Sequence, residues 1–258
     1  MSNKDIIVLT FILTEAAVLS ALLLFYTFER KTRPSQQRMI NSLIVNHIFF
    51  GLLTYGGLLI NQSSGHPPEI LLSLINSSSS YAESFNWLKY IGIGISSGLI
   101  LILLDWLLFR NVGKVLAQTE IGKINLYQKL LAIPYASIGE EVIFRLGIQS
   151  FIAAGLLLMV KNGTIHSYKI ALPSILITSL LFGWAHLPII RKYIAVSKRV
   201  IFRSLFLNGM AGVVLGYVYI QNGLEAAIFT HLSIDLSIAL LPAIIALIIG
   251  RVSSFPFP

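Results

Sequence analysis

Glu140 and Glu141 stand side by side, four residues ahead of Arg145, in a largely apolar run from Leu130 to Val160. An ionisable side chain at membrane depth costs several kcal/mol unless it is paired or hydrated, so three within six positions mark a functional site. On a helix Glu141 and Arg145 are i,i+4 and share a face, while Glu140 points about 100° away. One carboxylate can be held by the arginine while the other stays free for chemistry. The plain rival is a buried ion pair that only holds helices together.

Two more clusters carry reactive groups. Phe182-Gly183-Trp184-Ala185-His186 ends a later apolar run, and His231 stands i,i+4 to Asp235 in the last one. A single histidine in such a helix is more often a hydrogen-bonded packing residue than a catalyst. Two glutamates, two histidines, an aspartate and an arginine on three apolar runs must instead meet one another or water. A carboxylate beside an imidazole can activate water as a general base, and a second imidazole can donate to a developing oxyanion. Glu140, His186 and His231 would also suit one divalent metal, zinc above all. No HExxH string is present. Gly94-Ile95-Ser96-Ser97-Gly98 matches a serine-hydrolase string, but it lies in an apolar run where small residues pack helices.

The elements that must position these groups are membrane helices. The chain has 258 residues, 55% of them hydrophobic and 12% charged, against about 25% charged in a soluble domain. This composition predicts an all-α, polytopic transmembrane bundle in a single membrane-embedded domain, 1–258. The expected spans are Ile6–Phe28, Ile40–Ile60, Trp87–Phe109, Pro134–Val160, Ile170–Leu187, Leu205–Ile220 and Leu224–Ile249, about seven in all. Leu126 to Val160 is too long for one straight crossing, so a break is expected at Pro134. Gly212 and Gly216 predict a close helix approach. Pro242 is expected to end the last helix, which would bring His231 to mid-membrane.

Fourteen of the nineteen Lys and Arg residues fall in connections on one side. That side is then cytoplasmic, which gives N-out/C-in, with the basic Arg191–Arg203 loop inside and the Asn61–Asn86 connection outside. The net charge of +8 is thus a topology signal, and nothing suggests nucleic-acid binding. Without cysteine there is no disulfide and no thiolate nucleophile. The first apolar run is too long for a cleavable signal, so a multi-pass protein of the cell membrane is expected. Glu15 and His47 could meet across the first two spans, and Asp105 could pair near the inner end of the third.

Glu140-Glu141-x-x-x-Arg145, Phe182-x-x-x-His186 and His231-x-x-x-Asp235, in this order and all in apolar spans, resemble the CPBP family. These are the CAAX-protease and bacteriocin-processing intramembrane proteases, also called the ABI family. Leu215-Gly216-Tyr217-Val218-Tyr219 followed by Asn222-Gly223-Leu224 resembles the family's connection into its last motif. The resemblance covers about 134–240, the expected catalytic core.

The resemblance implies an endopeptidase acting on peptide or protein substrates, lipid-modified in some members, within membrane lipid. It implies that Glu140, assisted by His186, activates water, that Glu141 and Arg145 are structural support, and that His231 and its i+4 partner bind the oxyanion. Many members carry Asn at that partner position; here it is Asp235. An ionised Asp accepts hydrogen bonds and donates none, so Asp235 carries a proton, orients His231 or ligates a metal. Family members have been described both with and without a metal, so metal and metal-free mechanisms both stand. A non-proteolytic immunity or scaffold protein of the same fold, and a proton-coupled transporter, are the rival readings. Paired inverted repeats would mark the transporter, and none is evident between the two halves.

Overall fold

A computed structural model describes residues 1–28, 36–64, 68–76, 85–119, 124–160 and 164–248. Its elements are α1 (Asn3–Phe28), α2 (Gln36–Ser64), α3 (Glu69–Ile75), α4 (Trp87–Ala117), α5 (Leu126–Met159), α6 (Tyr168–Ala185), α7 (Leu187–Arg191) and α8 (Lys198–Ile248). No strand occurs among the described residues. Helices are the natural outcome here, because lipid offers no partner for backbone N–H and C=O groups and a helix satisfies them internally. Six of these helices are long and apolar enough to cross a membrane. The molecule is an all-α transmembrane bundle. Most of the stretch between the first two expected spans, 29–35, lies outside the described residues, as do 65–67 and 77–84 of the Asn61–Asn86 connection.

α8 is a hairpin. Gly223 has φ +84° and ψ −176°, a conformation open to glycine because it lacks a Cβ. Tyr90 of α4 packs with Val218 before this turn and Ala226 after it. Farther along α4, Leu101 shares a cluster with Ala211 and Ile234. The two limbs of α8, 198–222 and 224–248, therefore run antiparallel to each other, both packed against α4. Gly94 and Gly98 permit this contact: a Cβ on Gly94 would collide with the Thr230 carbonyl, and one on Gly98 would lie 2.8 Å from Ser237 Cβ. The Gly-x-Ser-x-Gly string is thus a packing face, and Ser96 is exposed away from it. Gly212 does what its spacing predicts, since a Cβ there would lie 3.0 Å from Ser179 Cα of α6.

Three expectations need correction. The chain does not break at Pro134. The helix starts earlier, at Leu126, where Asn125 and Gln128 form a reciprocal cap. It then runs through Pro134 in helical geometry (φ −57°, ψ −37°) and widens into π-helical turns over Tyr135–Glu140 and Val142–Gln149. Proline removes one N–H, and a wider turn redistributes the neighbouring bonds without ending the helix. Pro242 likewise sits inside α8, which continues to Ile248. A bundle neighbour can shelter the freed carbonyl of a membrane helix, so proline need not terminate it.

The third correction concerns Arg191–Arg203. Helix α7 ends at Arg191, and α8 begins at Lys198, ahead of the expected Leu205. Arg203 is buried, and its Nε and Nη2 both donate to Asp105 of α4 at 2.7 Å. A two-pronged charge-assisted bond of this kind lets the helix carry an arginine below the surface.

Candidate active site

The site is assembled by three elements. The wide turns of α5 present Glu140, Glu141 and Arg145. The end of α6 presents His186, and the second limb of α8 presents His231 and Asp235. Glu140, His186, His231 and Asp235 all line one cavity of about 210 Å³. Its other walls include Asn208, the Arg203–Asp105 pair and the apolar side chains of Leu101, Phe182 and Ile234. The expected convergence of Glu140, His186 and His231 is therefore present, and His231 is buried within the bundle.

The two glutamates differ sharply. Glu141 has no exposed side-chain area. Its Oε2 accepts from Arg145 Nε at 3.2 Å and its Oε1 faces His231 Nδ1 at 2.8 Å. Glu140 keeps 17% of its side chain exposed to the cavity. Its Oε2 lies 4.0 Å from His186 Nε2, beyond a direct hydrogen bond. Glu141 is thus more than a partner for Arg145: it also holds His231, a contact that i,i+4 counting along one helix could not give.

The hydrogen bonds fix one proton on each imidazole. His186 Nδ1 lies 2.8 Å from the Phe182 carbonyl, which can only accept, so Nδ1 carries the proton. His231 Nδ1 donates in the same way to the Glu141 carboxylate. Both rings then turn Nε2 toward the cavity, at Glu140 in one case and at Asp235, 3.7 Å away, in the other.

Among the described residues no three His, Asp or Glu side chains are grouped as a metal ion would require. Glu140, His186 and His231 do not form such a set here.

Several polar groups around the site escaped the sequence reading. Arg145 Nη1 donates to Gln149 Oε1 at 3.3 Å, and Gln149 Nε2 donates to the Gly216 carbonyl at 3.0 Å. Beyond it Asn61, Ser150 and Tyr219 form a buried cluster. Gln149 continues the four-residue spacing Glu141–Arg145–Gln149, a signal that was available. The Asn61–Tyr219 contact joins helices far apart in sequence and leaves no such trace.

Residues 123–237 match the family model described as Rce1-like, type II CAAX prenyl endopeptidase Rce1-like. No curated protein and no solved structure matches the chain. The matched segment holds all three motifs, and this is the CAAX-protease family to which their order points. The match suggests a peptidase, and with the six long apolar helices it suggests an integral, multi-pass membrane protein.

Proposed function

We propose that this chain is an intramembrane endopeptidase whose attacking water is held between Glu140 and His186. The observation that carries this reading is their 4.0 Å separation at the cavity wall. A water about 2.8 Å from each group would subtend an angle of about 90°, close to its own H–O–H angle. It would donate one proton to Glu140 Oε2 and the other to His186 Nε2, leaving a lone pair for the peptide carbonyl.

The chemistry then balances within the chain's own groups. The water oxygen bonds to the carbonyl carbon while its proton passes to Glu140. The carbonyl oxygen becomes an oxyanion, which His231 stabilises from Nε2–H. That role requires both ring nitrogens protonated, because Nδ1–H is committed to Glu141. Asp235 accepts from Nε2–H before substrate arrives and so keeps the ring aimed at the cavity. The C–N bond breaks as the proton on Glu140 moves to the leaving amine, which restores the carboxylate. Glu141 and Arg145 support His231 and take no proton.

Purified protein in liposomes, given a membrane-anchored peptide, tests this directly. Cleavage is expected from the wild type and its loss from Glu140→Gln, with the thermal unfolding midpoint unchanged. Function retained by Glu140→Gln would favour a non-proteolytic scaffold or immunity protein instead.

The same reading places the cavity mouth toward the cytoplasm of a cell-membrane protein, in one domain with its catalytic core at 134–240. The hairpin at Gly223 and the basic connections support seven crossings, N-out and C-in. The chain lacks cysteine, so single cysteines report topology cleanly. Gln118→Cys should label from the cytoplasmic side and Thr164→Cys from outside; the reverse pattern would sink this topology.

A further inference from the structure

The geometry points to Gln149 as a positioning residue for His231, acting through Arg145 and Glu141 from an anchor on the main chain of Gly216. This inference rests on the peptidase reading for its consequence in turnover, but its structural half stands apart. The relay is continuous: Gly216 carbonyl to Gln149 Nε2 at 3.0 Å, Gln149 Oε1 to Arg145 Nη1 at 3.3 Å, Arg145 Nε to Glu141 Oε2 at 3.2 Å, and Glu141 Oε1 to His231 Nδ1 at 2.8 Å. It leaves the first limb of α8, crosses α5 and returns to the second limb.

Each link has a fixed direction. The Gly216 carbonyl can only accept, so the amide nitrogen of Gln149 faces it. Arg145 can only donate, so the amide oxygen faces the arginine. Gln149, Arg145 and Glu141 are wholly buried and His231 is nearly so, and no bulk water can replace a lost link.

Arg145 needs this anchor. Its Nη2 is buried without a hydrogen-bond partner, and its guanidinium lies over the Phe182 ring at 5.3 Å, a contact that permits rotation in the ring plane. Only Nε and Nη1 fix which edge meets Glu141. Without Gln149 the guanidinium is free to turn and present two nitrogens to Glu141, the usual forked geometry of Arg with a carboxylate. That would draw the carboxylate away from His231 and release its Nδ1 proton.

Gly216 is part of the device. A Cβ there would lie 2.9 Å from Gln149 Oε1 and 3.2 Å from Ile175 Cγ2, so any side chain pushes the amide off its carbonyl. Gly216→Ala therefore perturbs the relay without removing a polar group.

The test uses the full chain in nanodiscs with ¹⁵N-labelled histidine, the His231 signals being assigned by their loss in His231→Gln. Wild type should show a protonated Nδ1 on His231. Gln149→Met, Gln149→Glu (which still accepts from Arg145 but cannot donate to Gly216) and Gly216→Ala should each lose that signature in whole or in part, as the ring gives up its Nδ1 proton and keeps Nε2–H alone. Turnover should fall up to about 100-fold in kcat with KM little changed, as expected when a reacting group is displaced by about an ångström. If one variant fails to fold, the others decide. An unchanged Nδ1–H signature in the folded variants overturns the assignment. Failure of the wild type to cleave any peptide overturns the peptidase reading and leaves the Nδ1–H result intact.

Discussion

Glu140–His186 and Glu15–His47 are built on one plan. In each, histidine Nδ1 is spent on the carbonyl four residues earlier, Phe182 or Leu43, at 2.8 Å. In each, Nε2 faces a glutamate on another helix, at 4.0 Å for Glu140 and 3.3 Å for Glu15. The surroundings part them. Glu140 and His186 share a cavity with His231 and Asp235, whereas Glu15 and His47 do not line it. The wider gap admits a water, and the narrower one brings the two groups nearly into direct contact. A Glu–His couple in a membrane helix is thus a common structural part. It becomes a candidate catalyst only where spacing and a second imidazole leave room for a reacting group.

That comparison can be broken by paired substitutions. His186→Ala should lower kcat by about 10²–10⁴-fold, the range typical of a lost acid–base group, and His47→Ala should leave kcat within about twofold. Comparable losses from both would end the distinction between the pairs. Next in size is Arg145→Ala. It strands Glu141 in a site with no solvent access and should cost about 3–5 kcal/mol, read as a lowered unfolding midpoint in detergent. Equal stability of this variant and wild type would show that Glu141 is not held as described. Smaller again is Gly98→Val, which forces α4 from the second limb of α8 and should cost about 1–3 kcal/mol. Its effect on turnover should exceed that of a similar insertion beside Glu15, because the displaced limb carries His231.

The chemistry was legible because helical spacing carries it. Glu141 and Arg145, like His231 and Asp235, are i,i+4 pairs that any helix brings together, and both contacts are present. The asymmetry between Glu140 and Glu141 also followed from one-residue spacing. The bundle class followed from composition alone. What periodicity could not give was the partner across a helix boundary. His231 meets Glu141 because the second limb of α8 folds back at Gly223, and Asp105 meets Arg203 because the first limb packs on α4. Pro134 and Pro242 misled in the other direction. A proline is a strong stop in water, but in lipid there is no solvated loop to fall into, and the helix carries it instead.

The hairpin at Gly223 has a consequence for biogenesis. A chain made from its N-terminus delivers α4 and α5 to the membrane before α8 exists. Asp105 then waits for Arg203, and Glu141, though already beside Arg145, waits for His231. The last limb supplies His231 and Asp235 and closes the cavity wall. On the proposed reading the order of synthesis acts as a safety catch: a nascent chain carries Glu140 and His186 first and lacks His231 until translation is nearly finished.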